Sequence, residues 1–221
     1  MMRVRHLFWD FDGTLYNSYP QIVQAMRRAL GGLGLEGLPP EAELLGQLKV
    51  SVYHAACRLS GAYRLPVERI LSAFHACHDP ITNFPPYAGL EECLSGLHAA
   101  GFRHYLYTHR NLAAVRQLQR DGLYRYFTDA VTRADGFADK PAPDALRALT
   151  ARNGVAVETA AMIGDRAIDI EAGHNAGMAG ILFDPDGFYP DLQAEMRVRS
   201  MAELRALLLE EAPRQGDARR G

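Results

Sequence analysis

The sequence predicts an α/β fold: a mostly parallel sheet with helices on both faces, into which an all-helical segment is inserted. Three observations carry this prediction. From Leu90 onward short apolar strands alternate with helical periodicities, as in a parallel sheet joined by crossover helices. Residues 17 to 82 carry helical spacings with no strand signal between them. Chemistry-bearing residues (Asp10, Thr108 and Asp165) fall at predicted strand ends, and ligands of such sheets bind beyond the carboxyl ends of the strands.

The elements follow in order. Val4 to Trp9 reads as a first strand, and Gly13-Thr14 then turns the chain sharply. Pro20 to Leu30 carries Ile22, Val23, Ala25, Met26, Ala29 and Leu30 at helical spacing, and Gly31-Gly32 stops it. Helical patterns resume over Glu41 to Leu48, Val50 to Leu59 and Val67 to Cys77, punctuated by Pro39, Pro40, Gly61 and Pro66. Asp79 to Pro86 is a return hinge. The remainder reads as helix 89–100, strand 103–108, helix 111–121, strand 129–132, helix 143–153, strand 160–164, helix 167–176 and strand 179–183. The expected division is therefore 1–16 with 83–221 for the sheet and 17–82 for the insertion, with a polar, frayed tail over Ala212 to Gly221.

Composition sets bounds that agree. A chain of 221 residues buries a proper core. A formal net charge of -2 without a long basic run disfavours nucleic acid as a partner. Cys57, Cys77 and Cys93 show no close metal-type pairing and fit a reducing compartment. Arg3 and Arg5 run straight into the first strand, which argues against a cleavable leader, and no apolar stretch is long enough to span a bilayer. The expectation is a cytoplasmic protein, monomer or homodimer, with no membrane partner.

Chemistry enters at Asp10-Phe11-Asp12-Gly13-Thr14-Leu15. Alternate residues of a strand share a face, so Asp10 and Asp12 can point the same way. Carboxylates held close repel and titrate as a pair unless a cation lies beside them. A divalent metal is the natural remedy.

The segment FWDFDGTL resembles the first motif of the haloacid dehalogenase superfamily, and three more segments continue the likeness in order. Phe102 to Thr108 is similar to the second motif, Lys140-Pro141-Ala142-Pro143-Asp144 to the third, and Ala160 to Asp169, with its GDRAID core, to the fourth. The resemblance implies a Rossmann-like catalytic core (1–16 and 83–221), a helical cap (17–82) and Mg²⁺-dependent hydrolysis of a small phosphate monoester such as phosphoglycolate or a sugar phosphate. It implies Asp10 as nucleophile, forming an aspartyl phosphate, and Asp12 as general acid and base. Thr108 and Lys140 would hold the phosphoryl group. The ion would be held by the Asp10 carboxylate, the Asp12 carbonyl and Asp165, with Asp169 orienting the site from behind. Asp12 argues against the dehalogenases and phosphonate hydrolases of the superfamily, which lack a second Asp. A phosphosugar mutase needs the same groups, and a phosphate-binding regulatory module without turnover is the reading from another class. Asn17, where the family commonly has an acidic residue, and the continuation Thr108-His109-Arg110 bear on substrate rather than reaction.

Only two of the 24 basic residues are lysine, Lys49 and Lys140, and Lys140 falls in the expected site. Lys49 is a possible substrate contact, although an ordinary surface lysine is the plainer reading. His109 and Arg110, next to Thr108, are further possible contacts. Gly32 to Gly37 spells GxGxxG but follows a helix instead of a strand, so it reads as a helix stop. His75-Ala76-Cys77-His78-Asp79 lacks a distant partner pair for zinc, and His174 reads as an ordinary helix residue.

Overall fold

The computed structural model describes residues 4–211. The chain divides between Tyr16 and Asn17 and again between Pro85 and Pro86, into a sheet-bearing unit and an inserted helical unit. The second boundary lies at 85/86 instead of 82/83 for a local reason. Phe84 stacks on His78, and the Asn17 amide donates to the Pro85 carbonyl at 2.9 Å, so the last residues of the hinge close the insertion.

The sheet has six strands, β1 (His6–Trp9), β2 (Arg103–Tyr107), β3 (Phe127–Val131), β4 (Ala160–Gly164), β5 (Ala179–Phe183) and β6 (Met196–Val198). Their order is β3-β2-β1-β4-β5-β6, and every pairing is parallel. β1 is central, with Phe8 opposite Tyr105 on one side and Met162 on the other. A strand buried on both faces reads as a continuous apolar run, and Leu7, Phe8 and Trp9 are all fully buried. Each such side chain contributes about 1.5–3 kcal/mol when removed from water.

Among the described residues five α-helices belong to this unit: α5 (Leu90–Ala99), α6 (Ala113–Arg120), α7 (Asp144–Asn153), α8 (Ala167–Ala176) and α9 (Met201–Glu211). One sheet face packs Phe8, Tyr105, Tyr107 and Met162 against Leu146 and Leu149 of α7 and Ala172 and Ala176 of α8. Helix α5 lies against β2 and α9. The connection between strands reverses direction between β1 and β4, so a crevice forms at their carboxyl ends.

The inserted unit contains α1 (Tyr19–Gly32), α2 (Glu41–Val50), α3 (Val52–Tyr63) and α4 (Val67–His78) around an apolar core of Met26, Leu30, Leu44, Leu59, Ile70 and Phe74. Val50 closes α2 instead of opening α3, because the Ser51 hydroxyl caps α3 by accepting from the His54 amide at 2.9 Å. Gly34, at φ 77°, turns the chain beyond α1, as a helix stop requires.

Strand β6 and helix α9 have no counterpart in the sequence reading. β6 is three residues long and gains its place only by pairing with β5. The expected frayed tail, 212–221, lies outside the described residues. Among the described residues no helix is long and apolar enough to cross a membrane.

Candidate active site

The carboxyl ends of β1, β2 and β4 deliver Asp10, Thr108 and Asp165, each buried. The Asp10 amide still donates to Ile163 of β4 at 2.9 Å, and the Thr108 amide to Val131 of β3 at 3.1 Å, so sheet hydrogen bonding carries both residues to the rim. Past Asp10 the chain turns at Gly13, whose φ of 76° suits a residue without Cβ, and the Gly13 amide donates to Tyr16 at 2.8 Å.

Lys140, from the loop between β3 and α7, is fully sequestered. Its Nζ lies 2.5 Å from Asp10 Oδ1 and 2.8 Å from Asp169 Oδ1, donates to the Tyr107 carbonyl at 3.0 Å, and sits 4.5 Å from the Tyr107 ring centre. Burial disfavours the ammonium, but Asp10 and Asp169 outweigh burial and hold its pKa above the ordinary value. For Asp169 burial likewise opposes ionisation, yet Lys140 and Arg166 keep its carboxyl below the usual range. Asp10 goes the other way: burial pushes it up to about 7 against the pull of Lys140. The site thus binds one carboxylate firmly ionised and leaves the other in need of more positive charge.

Asp169 stands in the first turn of α8, where its Oδ2 accepts from the Arg166 amide at 3.1 Å. Its close approach to the strand is possible because residue 164 is glycine. A Cβ there would lie 2.1 Å from the Asp169 Cβ. The glycine stands in the GDRAID core, but its steric role is visible only once α8 is folded back onto β4.

Arg110 Nε meets Asp12 Oδ2 at 2.6 Å, and the Arg110 amide donates to Thr108 Oγ1 at 3.1 Å. Arg110 is therefore tied to the two motifs that flank the crevice. His109 turns its Nε2 to the Lys140 backbone amide at 2.8 Å. Lys49 is not a surface lysine: it is buried in the helical unit, with Nζ 4.8 Å from the Tyr19 ring centre, because α2 packs that face onto α1. The sheet unit thus brings together Asp10, Asp12, Thr108, His109, Arg110, Lys140, Asp165 and Asp169, while Lys49 belongs to the other unit.

Carboxylate oxygens of Asp10, Asp165 and Asp169 lie within 4.8 Å of one another, close enough to share one cation. Asp10 Oδ2 is buried, and among the described residues no group donates to it. An acceptor in that condition is costly unless a cation or donor meets it, so the residues fit a hard divalent metal with oxygen ligands.

A profile of the haloacid dehalogenase-like hydrolases matches residues 7–183. The chain is 32% identical to the phosphoglycolate phosphatase of Cereibacter sphaeroides, over 79% of this chain and 83% of that protein. It is 26% identical to the pyrophosphatase PpaX of Halalkalibacterium halodurans, over 92% of this chain and 96% of its relative. In fold it is similar to the crystal structure of a predicted phosphoglycolate phosphatase from Haemophilus somnus, with a TM-score of 0.79 at 19% identity, covering 94% of this chain and 99% of the other. With this sheet order, this buried acidic and lysine cluster and these relatives, the chain belongs to the haloacid dehalogenase-like hydrolase family and is an enzyme of its phosphatase type.

Proposed function

We propose that this enzyme hydrolyses a small phosphate monoester, of the phosphoglycolate or sugar phosphate kind, through an aspartyl phosphate on Asp10 and with Mg²⁺ as cofactor. The observation that carries the reading is the buried Asp10 carboxylate, held on one oxygen by Lys140 and, among the described residues, met on the other by no donor. The ion would be held by the Asp10 and Asp165 carboxylates and the Asp12 carbonyl. Mg²⁺, when bound, supplies the positive charge that keeps Asp10 ionised and offsets the charge of the phosphate.

Each side chain then has a task. Asp10 attacks phosphorus, its O–P bond forming as the bond to the departing alkoxide breaks. Asp12 hands its proton to that alkoxide and later takes one from the water that attacks the aspartyl phosphate, releasing inorganic phosphate and restoring Asp10. Arg110, 2.6 Å from Asp12, holds that carboxyl in the resting enzyme and gives it up when substrate binds, so that Asp12 can carry the proton. Thr108 donates its hydroxyl hydrogen to a phosphoryl oxygen, and Lys140 lowers the cost of gathering anionic oxygens around Asp10. Asp169 fixes the Lys140 ammonium, which it meets at 2.8 Å. A reducing, cytoplasmic setting suits the three cysteines, all free thiols, of which buried Cys93 is pushed up to about 12 by burial and is inert.

Release of inorganic phosphate from p-nitrophenyl phosphate, with and without Mg²⁺, tests the reading. Metal-dependent release is expected, followed by a preference among phosphoglycolate, pyrophosphate and sugar phosphates in a substrate panel. Absence of metal-dependent turnover on every ester would leave a phosphate-binding module in its place.

A further inference from the structure

We infer that His109 is a positioning residue that sets the Lys140 loop, acting as a neutral hydrogen-bond acceptor and not as a contact for substrate. The inference rests on the role given to Lys140 above. Lys140 Nζ is fixed at its tip by Asp10, Asp169 and the Tyr107 carbonyl. A long side chain fixed at its tip still needs its backbone held, because lysine otherwise keeps several rotatable bonds to spend. The Lys140 amide supplies the fixed point by donating to His109 Nε2 at 2.8 Å. His109 is itself anchored. Its carbonyl accepts from Arg133 Nε at 2.8 Å, and its ring meets Tyr107 edge to face with centroids 6.1 Å apart.

The chemistry of the ring follows from this contact. An Nε2 that accepts from an amide carries a lone pair, so the proton of the neutral imidazole must sit on Nδ1. Several charged groups surround it: Asp139 Oδ1 is 3.7 Å from Nε2, Arg133 holds its carbonyl, and Lys140, Arg166 and Asp169 act through space. Burial first, and the Lys140 charge second, push the imidazole down to about 4, so the acceptor form persists through neutral pH. Protonation on Nε2 would set two N–H groups against each other and release the Lys140 backbone.

Nitrogen-15 histidine spectra of the full chain at neutral pH are expected to show residue 109 neutral with its proton on Nδ1. A proton on Nε2, or a doubly protonated ring, overturns the inference. In kinetics, His109→Leu is expected to lower kcat on p-nitrophenyl phosphate and on phosphoglycolate by the same factor, about 10- to 100-fold as for partners that orient reacting groups. His109→Gln, whose amide oxygen still accepts, is expected to recover most of that loss. A loss that appears in KM for one ester only marks a substrate contact, and a lowered melting temperature with unchanged kcat marks a merely structural residue; either result overturns the inference. If the parent enzyme itself turns over no phosphate ester, the functional reading falls while the spectra still decide the state of His109.

Discussion

The two units each bury one of the chain's two lysines, and they do so in opposite ways. In the helical unit Lys49 lies over the Tyr19 ring in a bundle built around an apolar cluster. In the sheet unit Lys140 is enclosed by two carboxylates and a carbonyl, next to buried Asp165 and Thr108. A lysine can extend its stem along apolar surface and set its ammonium over a ring at modest cost. A cation placed between carboxylates is part of a network in which every charge depends on the others. Stability in the helical unit therefore comes from packing, whereas the sheet unit spends stability on concentrating charge where a phosphoryl group is to be received.

The contrast can be broken most severely at Asp10. Asp10→Asn is expected to lower phosphate release at least about 10³-fold while the protein melts no lower than the parent, since a buried carboxylate is replaced by a neutral amide. Turnover close to that of the parent would remove Asp10 as nucleophile. Next comes Lys140→Met, which leaves buried Asp10 and Asp169 with only the more distant Arg166 charge and is expected to cost about 3–5 kcal/mol in urea unfolding at neutral pH. Gly164→Ala sharpens the packing side: the added methyl meets Asp169 at a distance that no rotamer relieves, for a loss of about 1–3 kcal/mol together with activity.

Acid titration gives a smaller, graded test of the sheet unit. His104 is buried, accepts from Trp9 Nε1 at 3.0 Å, and is pushed from an ordinary 6.5 down to about 3 by burial and then by His98. Because the folded state binds this proton less readily than the unfolded chain, the contribution of His104 is complete above about pH 6.5 and is lost as pH falls toward 3. In that window His104→Gln is expected to flatten the stability curve by up to about 1.4 kcal/mol per pH unit. An unchanged slope would mean that the ring titrates as if exposed. The smallest effect belongs to the helical unit, where Lys49→Met is expected to stay within about 1 kcal/mol of the parent, since methionine keeps an unbranched stem over the Tyr19 ring. A cost as large as that of Lys140→Met would erase the distinction between the two lysines.

Legibility in the sequence tracked how local each cause is. Strands β1, β4 and β5 were readable because burial on both faces forces unbroken apolar runs, β2 because its residues alternate, and the four helices of the insertion because their apolar spacing repeats every three to four residues. Asp10, Thr108 and Asp165 were readable as site residues because each closes such a run. Strand β6 was not, since three residues carry no period and only the free edge of β5 gives them a partner. Nor was the burial of Lys49, because a helical lysine is equally at home in water until the fold covers it. Arg110 and His109 could be named as neighbours of Thr108, but not given their partners, Asp12 and the Lys140 backbone, which lie 98 and 31 residues away.

The order of strands and helices as far as β5, the turn at Gly13 and the residue types at the strand ends were settled by the sequence itself, because periodicity, backbone sterics and the reach of a strand act within a few residues. Tertiary structure alone decided that Asp169 presses on Gly164, that Lys140 bridges Asp10 and Asp169, and that His109 faces a backbone amide. The physical reason is that burial and charge pairing depend on distances through space, and these exist only once the parallel sheet has drawn remote segments to one rim.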